Sequence, residues 1–454
     1  MGQDQNSFLG GLGSALEDNR TGWVFNVAIV ALVIAALLLP PVSAQDRILD
    51  AGYQTIDQET GGSVQDPDGM QVTVWPEGME NDIKLKVESV PRTAFMDGSA
   101  GSELVEAAKM LPSHLHVKSP IYEISLKGPM PTSVSLIIPI PNNAEPYETL
   151  SLYSWNGEEW VYLPSQVILE DDILESHLDY MPETVTAVQS AAQPPRVSAQ
   201  LPVYVSLPAL GDQALTELNP LGYYMGADNN IEGSLPTLPE ADGSESYRAL
   251  PTLRNWTDDG IVRSDLVDNM LVVPESQEAH AQAIVDLVVG EMYGGIDLDY
   301  KGINPDLSDE YASFIELLAA ELRANGKRLT LHVGPPVQIS PDVWETGAYD
   351  WVALGRVVDG FKFSASQDPA AYAPGGQMED LLWWAVGQVE RYKLQPLYSA
   401  HSVESANGVL MNLTYRDALA KLSDVAVQQA DDVLDPGEQV TVSLDTTGVQ
   451  YDPS

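Results

Sequence analysis

The sequence predicts a multidomain chain: an N-terminal transmembrane helix, then an antiparallel β-sandwich, then an α/β region on a parallel sheet. Three observations predict it. Residues 23–41, "WVFNVAIVALVIAALLLPP", are apolar except for Asn26, long enough to cross a bilayer. Residues 52–190 hold short alternating runs separated by Gly, Pro, Asn and Asp clusters, the pattern of antiparallel strands. From about residue 203, apolar strand-like runs alternate with helical ones, which implies a parallel sheet.

The first element is read as an uncleaved signal anchor. The preceding residues 1–22 carry Asp4, Glu17 and Asp18 against Arg20, so they lack the basic region of a cleaved signal. "VSA" at 42–44 fits a cleavage site, which keeps cleavage after Ala44 as the alternative. Residues 1–22 are then a cytoplasmic tail, and everything after residue 45 is extracytoplasmic.

The second element spans 45–190. "MQVTVW", "DIKLKVES", "IYEISLKG", "SVSLIIPI" and "TLSLYSW" are its strands, and Asn156-Gly157 in "SWNGEEWVYL" predicts a two-residue type I′ hairpin. The stretches "GGSVQDPDGMQVTVWPEGM" and "SLYSWNGEEWVYLP" resemble the membrane-proximal β-sandwich of ankyrins and netrin receptors. That resemblance implies an interaction or spacer module.

Residues 191–200 are read as a Pro-containing linker, and 201–454 as the third element. Strands are expected at 203–207, 221–225, 249–254, 295–300, 328–333, 358–363 and 394–399. The clearest helix is "SDEYASFIELLAAELRANGK". Ser308 is its expected cap, Tyr311, Phe314, Ile315, Leu318 and Leu322 form one apolar stripe, and Asn325-Gly326 ends it.

Composition limits function. There are 66 acidic and 22 basic residues, a formal net charge of -44, which repels nucleic acid. There is no cysteine, so disulfides, thiol catalysis and thiolate metal sites are excluded. Of the six histidines only His114 and His116 are close in sequence. Lacking evident further ligands, the histidines are read as structural or surface residues, and no metal or cofactor is expected.

The chemistry-bearing stretch is "GGIDLDYK" at 294–301. On a strand, Asp297, Asp299 and Lys301 share one face and Ile296, Leu298 and Tyr300 the other. The stretch resembles the fourth-strand motif of glycoside hydrolase family 18, the chitinase family, in its spore-germination branch. That motif is Asp-Gly-x-Asp-x-Asp-x-Glu. "LGYYMGADNNIEG", "YDWVALGRVVDGFKF", "YAPGGQMEDLLWWAVGQVERYKLQPLYSA" and "LTYRDALAKL" resemble further family regions in order, over about 200–425. The resemblance implies a (β/α)8-type barrel, here with about seven strands. Its insertion domain begins near 412 and its eighth strand is missing, so the chain is expected to be a fragment of a longer protein.

The resemblance also implies lost catalysis. Gly294 stands at the motif's first Asp and Lys301 at its general acid. Ser364, Ala365, Ser366 and Gln367 align with the sixth strand's Met-x-Tyr-Asp, and "LYSAHS" lacks the usual aromatic floor. An ammonium beside carboxylates keeps its proton, which is the opposite of what a general acid needs. Glu291, the nearest other acid, precedes the strand. Lys301 is therefore expected within ion-pair distance of Asp299 in the upper mouth of the barrel, a partly buried pair that neutralises one of two mutually repelling carboxylates and is costly to break. Trp256 and Tyr300 are the expected sugar-binding surfaces, and Trp383 and Trp384 are expected to pack.

The expected protein is a membrane-anchored, extracytoplasmic surface protein whose pseudo-glycosidase barrel binds glycan or acts as scaffold. Its partners would be cell-wall glycan or other surface proteins. The alternatives are an active hydrolase of N-acetylglucosamine-containing wall or spore glycans, and a structural surface-layer subunit.

Overall fold

The computed structural model describes residues 50–202, 215–235, 247–340, 343–399, 401–406, 409–422, 425–429, 440–444 and 448–451. The expected transmembrane helix at 23–41, its flanks and the strand expected at 203–207 lie outside the described residues. Among the described residues no helix is long and apolar enough to cross a membrane.

The chain divides into two compact units. The first holds the described residues up to Ser89 together with Tyr122–Val134 and Asp179–Met181, and the second holds the rest. In the first unit, Gln54–Ile56 pairs antiparallel with Ile83–Val90, and Gly62–Gln65 with Gln71–Val74. Asp50 bridges Lys84 at 2.5 Å and Lys127 at 2.7 Å.

The second unit begins with antiparallel strands. Leu150–Trp155 pairs with Trp160–Leu163 and with Thr184–Ser190. The hairpin expected at Asn156-Gly157 forms, but its loop runs over 156–159 rather than two residues. The Asn156 carboxamide accepts from the amides of Glu158 at 2.9 Å and Glu159 at 2.8 Å. This side chain–backbone turn replaces the positive φ that a type I′ turn demands of Asn. Two helices that the strand pattern did not suggest, Arg92–Asp97 and Ser102–Lys109, bury Phe95, Leu104 and Ala107 with Trp155 and Trp160. The Trp160 indole donates to the Ala107 carbonyl at 2.8 Å.

The rest of the second unit is a curled sheet with seven parallel strands: β1 (Ser198–Pro202), β2 (Glu217–Met225), β3 (Thr252–Arg254), β4 (Gly295–Asp299), β5 (Arg328–Val333), β6 (Gly360–Ser364) and β7 (Leu394–Leu397), hydrogen-bonded in that order. β1 starts inside the segment read as linker and ends on Pro202, a residue that an edge strand tolerates. Pro251 precedes β3, and Arg248–Ala249 forms a separate short strand before it. Five helices cover the outside: α1 (Ser264–Leu271), α2 (Pro274–Gly290), α3 (Ser308–Ala324), α4 (Trp351–Val357) and α5 (Gln377–Gln388).

The stripe expected on α3 is buried at every position and packs on Ile296, Leu298 and Tyr300 of the β4 segment. Burial of each such side chain stabilises by roughly 1.5–3 kcal/mol. Ser308 is the first helical residue, not the cap. A 3₁₀ turn, Pro305–Leu307, leads into the helix, and Asn304 accepts the Asp306 amide at its start. Gly326, at φ 66°, ends α3 as expected. Trp384 packs on Trp351 and Trp344, with ring centroids 4.7 and 5.7 Å away.

β1 and β7 are the sheet's edges. The Ser198 hydroxyl of β1 donates to Gln395 Oε1 of β7 at 3.5 Å. No eighth parallel strand occurs among the described residues. After β7 come the hairpin Ser402–Ala406 with Val409–Leu413, the helix Tyr415–Leu422 and a three-stranded antiparallel sheet.

The opening of β4 generates a test. A Cβ on Gly295 would lie 2.0 Å from the Arg328 carbonyl, whereas one on Gly294 would meet only a side-chain carbon at 3.2 Å as its closest neighbour. Gly295→Ala is expected to destabilise by about 1–3 kcal/mol or more and Gly294→Ala by much less, as read by urea denaturation.

Candidate functional site

Strand alternation builds the site. Each parallel strand sends alternate, polar residues inward and its apolar ones against the helices. The inward set is Glu217 and Asn219 on β2, Thr252 and Arg254 on β3, Asp297 and Asp299 on β4, Thr330 and His332 on β5, Lys362 on β6 and Gln395 on β7, all buried. Register brings them level: Thr252 pairs with Asp297, Asp297 with Thr330, and His332 with Lys362.

The deeper layer is closed. Asp297 accepts from Thr252 at 2.8 Å, Thr330 at 2.6 Å, His332 Nε2 at 2.8 Å and Lys362 Nζ at 2.7 Å. An ionised carboxylate only accepts, so the His332 proton sits on Nε2. Lys362 also donates to Glu217 and Asn219, both at 2.8 Å. Burial alone would raise the Asp297 carboxyl, but the charges of His332 and Lys362 outweigh it and hold the carboxyl well below the usual range. Burial likewise pushes Lys362 down, and Asp297 and Glu217 more than reverse it.

The layer above, at the strands' C-terminal ends, is open. Arg254, 1% exposed, donates to Tyr224 and Asp258, both at 2.5 Å. Its guanidinium lies 4.5 Å from the Tyr224 ring and 4.3 Å from that of Trp256. The Lys301 ammonium sits 3.9 Å from the same Trp256 ring and 3.6 Å from Asp299. Asn255 fixes the Lys301 backbone: its carboxamide accepts from the Lys301 amide and donates to the Lys301 carbonyl, both at 2.8 Å. Asp299 accepts no hydrogen bond among the described residues, and its other ionic neighbour is His332 Nδ1 at 4.0 Å.

The expected residues therefore divide. Asp297, Asp299 and Lys301 share a face, as the spacing predicts, and Lys301 is within ion-pair distance of Asp299. The pair is partly buried, but Lys301 does not neutralise Asp297. Its side chain is 49% exposed, and the counter-ion is Lys362, which the sequence reading passed over between two phenylalanines. Trp256 stands half-buried at the mouth. Tyr300 does not: on the opposite strand face it is fully buried, bonding His280 Nε2 through its hydroxyl at 2.5 Å and accepting from Tyr349 through its carbonyl at 2.8 Å. Its ring is closed to a sugar. His280 and His332 are interior residues, and the signal for His332 was its place two residues after Thr330 in an otherwise apolar strand. Glu291 is exposed, just past the end of α2. At the ends of β6 and β7, Tyr372 and Tyr398 are 42% and 64% exposed with ring centroids 6.4 Å apart. That pair supplies an aromatic surface which "LYSAHS" was not expected to hold. Among the described residues no group of His, Asp and Glu is placed to hold a metal ion.

Two tests follow from the layers. Lys362→Met strands two buried carboxylates and is expected to cost about 3–5 kcal/mol, whereas Lys301→Met, at a half-exposed pair, costs less than about 1 kcal/mol. Parallel denaturation curves check the contrast. Because the folded Asp297 carboxyl is depressed, its contribution is present above its unfolded value of about 3.9 and is lost as pH falls through the lower folded value. The stability gap between wild type and Asp297→Asn is therefore expected to narrow on acidification below about pH 4, in urea melts taken across that range.

No family model matches the chain. It is 25% identical over 188 residues to the Bacillus subtilis (strain 168) protein named "Putative sporulation-specific glycosylase YdhD", covering 39% of this chain and 44% of that one. The chain thus spans less than half the length of that relative. Among solved structures, the crystal structure of that protein is similar at TM-score 0.41 and 19% identity, over 50% of this chain and 79% of that one. The spore cortex-lytic enzyme SleL of Bacillus megaterium QM B1551 is similar at TM-score 0.46 and 15% identity, over 60% and 67%. A glycoside hydrolase family 18 N-acetylglucosaminidase of Paenibacillus barengoltzii is similar at TM-score 0.42 and 14% identity, over 57% and 87%.

Proposed function

We propose that this chain is a glycan-binding surface protein whose barrel does not hydrolyse by the chitinase route. The observation that carries the reading is the state of position 301. Where the resembled motif has its acid, Lys301 holds an ammonium over the Trp256 ring and beside Asp299. A lysine there offers the leaving oxygen no carboxylic acid, the group the motif's proton transfer uses. Asp297 is committed to four donors and to holding Lys362. What remains at the strands' C-terminal ends is suited to binding: a half-buried indole beside a buried carboxylate and, past β6 and β7, an exposed tyrosine pair. The likeness to a named glycosylase supports a carbohydrate ligand. The apolar run at 23–41 and the leader without a basic region support anchoring in a membrane with the barrel outside it.

The test is direct. The purified full chain is expected to release no reducing ends from chitin oligomers or peptidoglycan above background, yet to retain such glycans on an affinity column. Lys301→Glu, which restores the motif's acid, is expected to remain inactive because Ser366 and Gln367 stand where the motif has Tyr and Asp. Turnover by the wild type that Lys301→Ala alters would overturn the reading.

A further inference from the structure

We propose that the barrel mouth at Trp256 and Asp299 is an ammonium-binding site, and that its glycan carries free, protonated amino groups, as a de-N-acetylated glucosamine polymer does. This deepens the glycan-binding reading and rests on it.

Asp299 carries the argument. Its side chain is 5% exposed, yet among the described residues it accepts no hydrogen bond. Its ionic neighbours stand at 3.6 and 4.0 Å, beyond the roughly 2.7–2.9 Å of a charge-assisted bond. Two residues earlier on the same face, Asp297 has four donors within 2.8 Å. The Asp299 oxygens are not among the sealed, unpartnered atoms of the described residues, so the carboxylate can be reached, and a ligand that brings N–H donors supplies the short bonds it lacks.

The neighbouring side chain shows which donor fits. Lys301 already places an ammonium against both the carboxylate and the Trp256 ring. An aromatic face beside a carboxylate is the chemistry that recognises an amine cation. Lys301 is half exposed on a flexible four-carbon stem, so it acts as an internal occupant that a ligand amine displaces. Arg254 also lies against Trp256, with its Nη2 on Asp258 at 2.5 Å and its buried Nε and Nη1 without a hydrogen-bond partner, donors left for a sugar's oxygens. Displacing Lys301 uncovers the indole surface its ammonium occupies, on which a sugar ring can lie. The formal net charge of -44 draws a cationic polymer towards the protein.

The experiment titrates the full chain by calorimetry, at physiological ionic strength, with three probes: a glucosamine tetramer, its fully N-acetylated counterpart and tetralysine. The glucosamine tetramer is expected to bind at least about tenfold more tightly than the other two. Asp299→Asn is expected to abolish that preference. Lys301→Met is expected to tighten amine binding by about tenfold, since an occupied site lowers apparent affinity by the fraction occupied. A folding defect cannot mimic tightening, and denaturation curves confirm that Asp299→Asn is folded. If the acetylated tetramer binds as well as the amine, this inference falls and the glycan reading stands. If neither tetramer binds wild type or Lys301→Met, both fall. Amine binding indifferent to both substitutions is adsorption to an acidic surface and overturns the site. Tetralysine behaving like the amino sugar overturns the glycan assignment.

Discussion

The Lys362 ammonium, held among Glu217, Asn219 and Asp297, is the contact on which the rest of the barrel depends. A closed parallel sheet ordinarily fills its interior with branched apolar side chains. Here the deeper interior layer is polar, and one cation ties β2, β4 and β6 across the lumen. Desolvating these groups costs several kcal/mol each, and the cost is offset because Asp297 and Lys362 find partners at hydrogen-bond distance. The hydroxyls of Thr252 and Thr330 and the His332 imidazole complete Asp297, so no single strand can shift register without breaking bonds from its neighbours.

Above that layer the logic changes. Asp299 and Asp297 belong to the same strand and the same face, yet one is saturated and the other scarcely bonded. The difference lies in what the flanking strands present at each level. At Asp297 they offer two threonine hydroxyls and a histidine, and β6 beyond them adds Lys362. At Asp299 the register partner is Arg254, which turns instead to Tyr224, Asp258 and the Trp256 ring. Lys301 leans over the same ring without reaching full contact with Asp299. The closed layer holds the barrel together, and the open layer keeps one carboxylate for something else.

The outward face of β4 shows why residue type alone misleads. Tyr300 stands next to Lys301, but its ring stacks on His280 from α2, and its carbonyl is taken by Tyr349. It joins sheet to helices. Trp256, which leaves β3 at the mouth, keeps a face for cations. Both aromatics looked equally suited to a sugar, and only the direction of the side chain separates them.

The sequence by itself determined what depends on local pattern. Period-two alternation put Asp297, Asp299 and Lys301 on one face, the period-3.6 stripe made α3, and Gly326 ended it. Glycine, proline and asparagine clusters marked the strand boundaries of residues 52–190, although they concealed the helices at Arg92–Asp97 and Ser102–Lys109. What only the tertiary structure decided is which lysine neutralises the buried carboxylates. Lys362 lies 65 residues from Asp297, and the two meet because β4, β5 and β6 pair side by side in register. Lys301 was the nearer partner in sequence, but the strand ends at Asp299 and Asn255 turns its backbone outward over Trp256. Pairing in sequence sets which side chains share a face, and inter-strand register with sheet curvature sets which charges share a space.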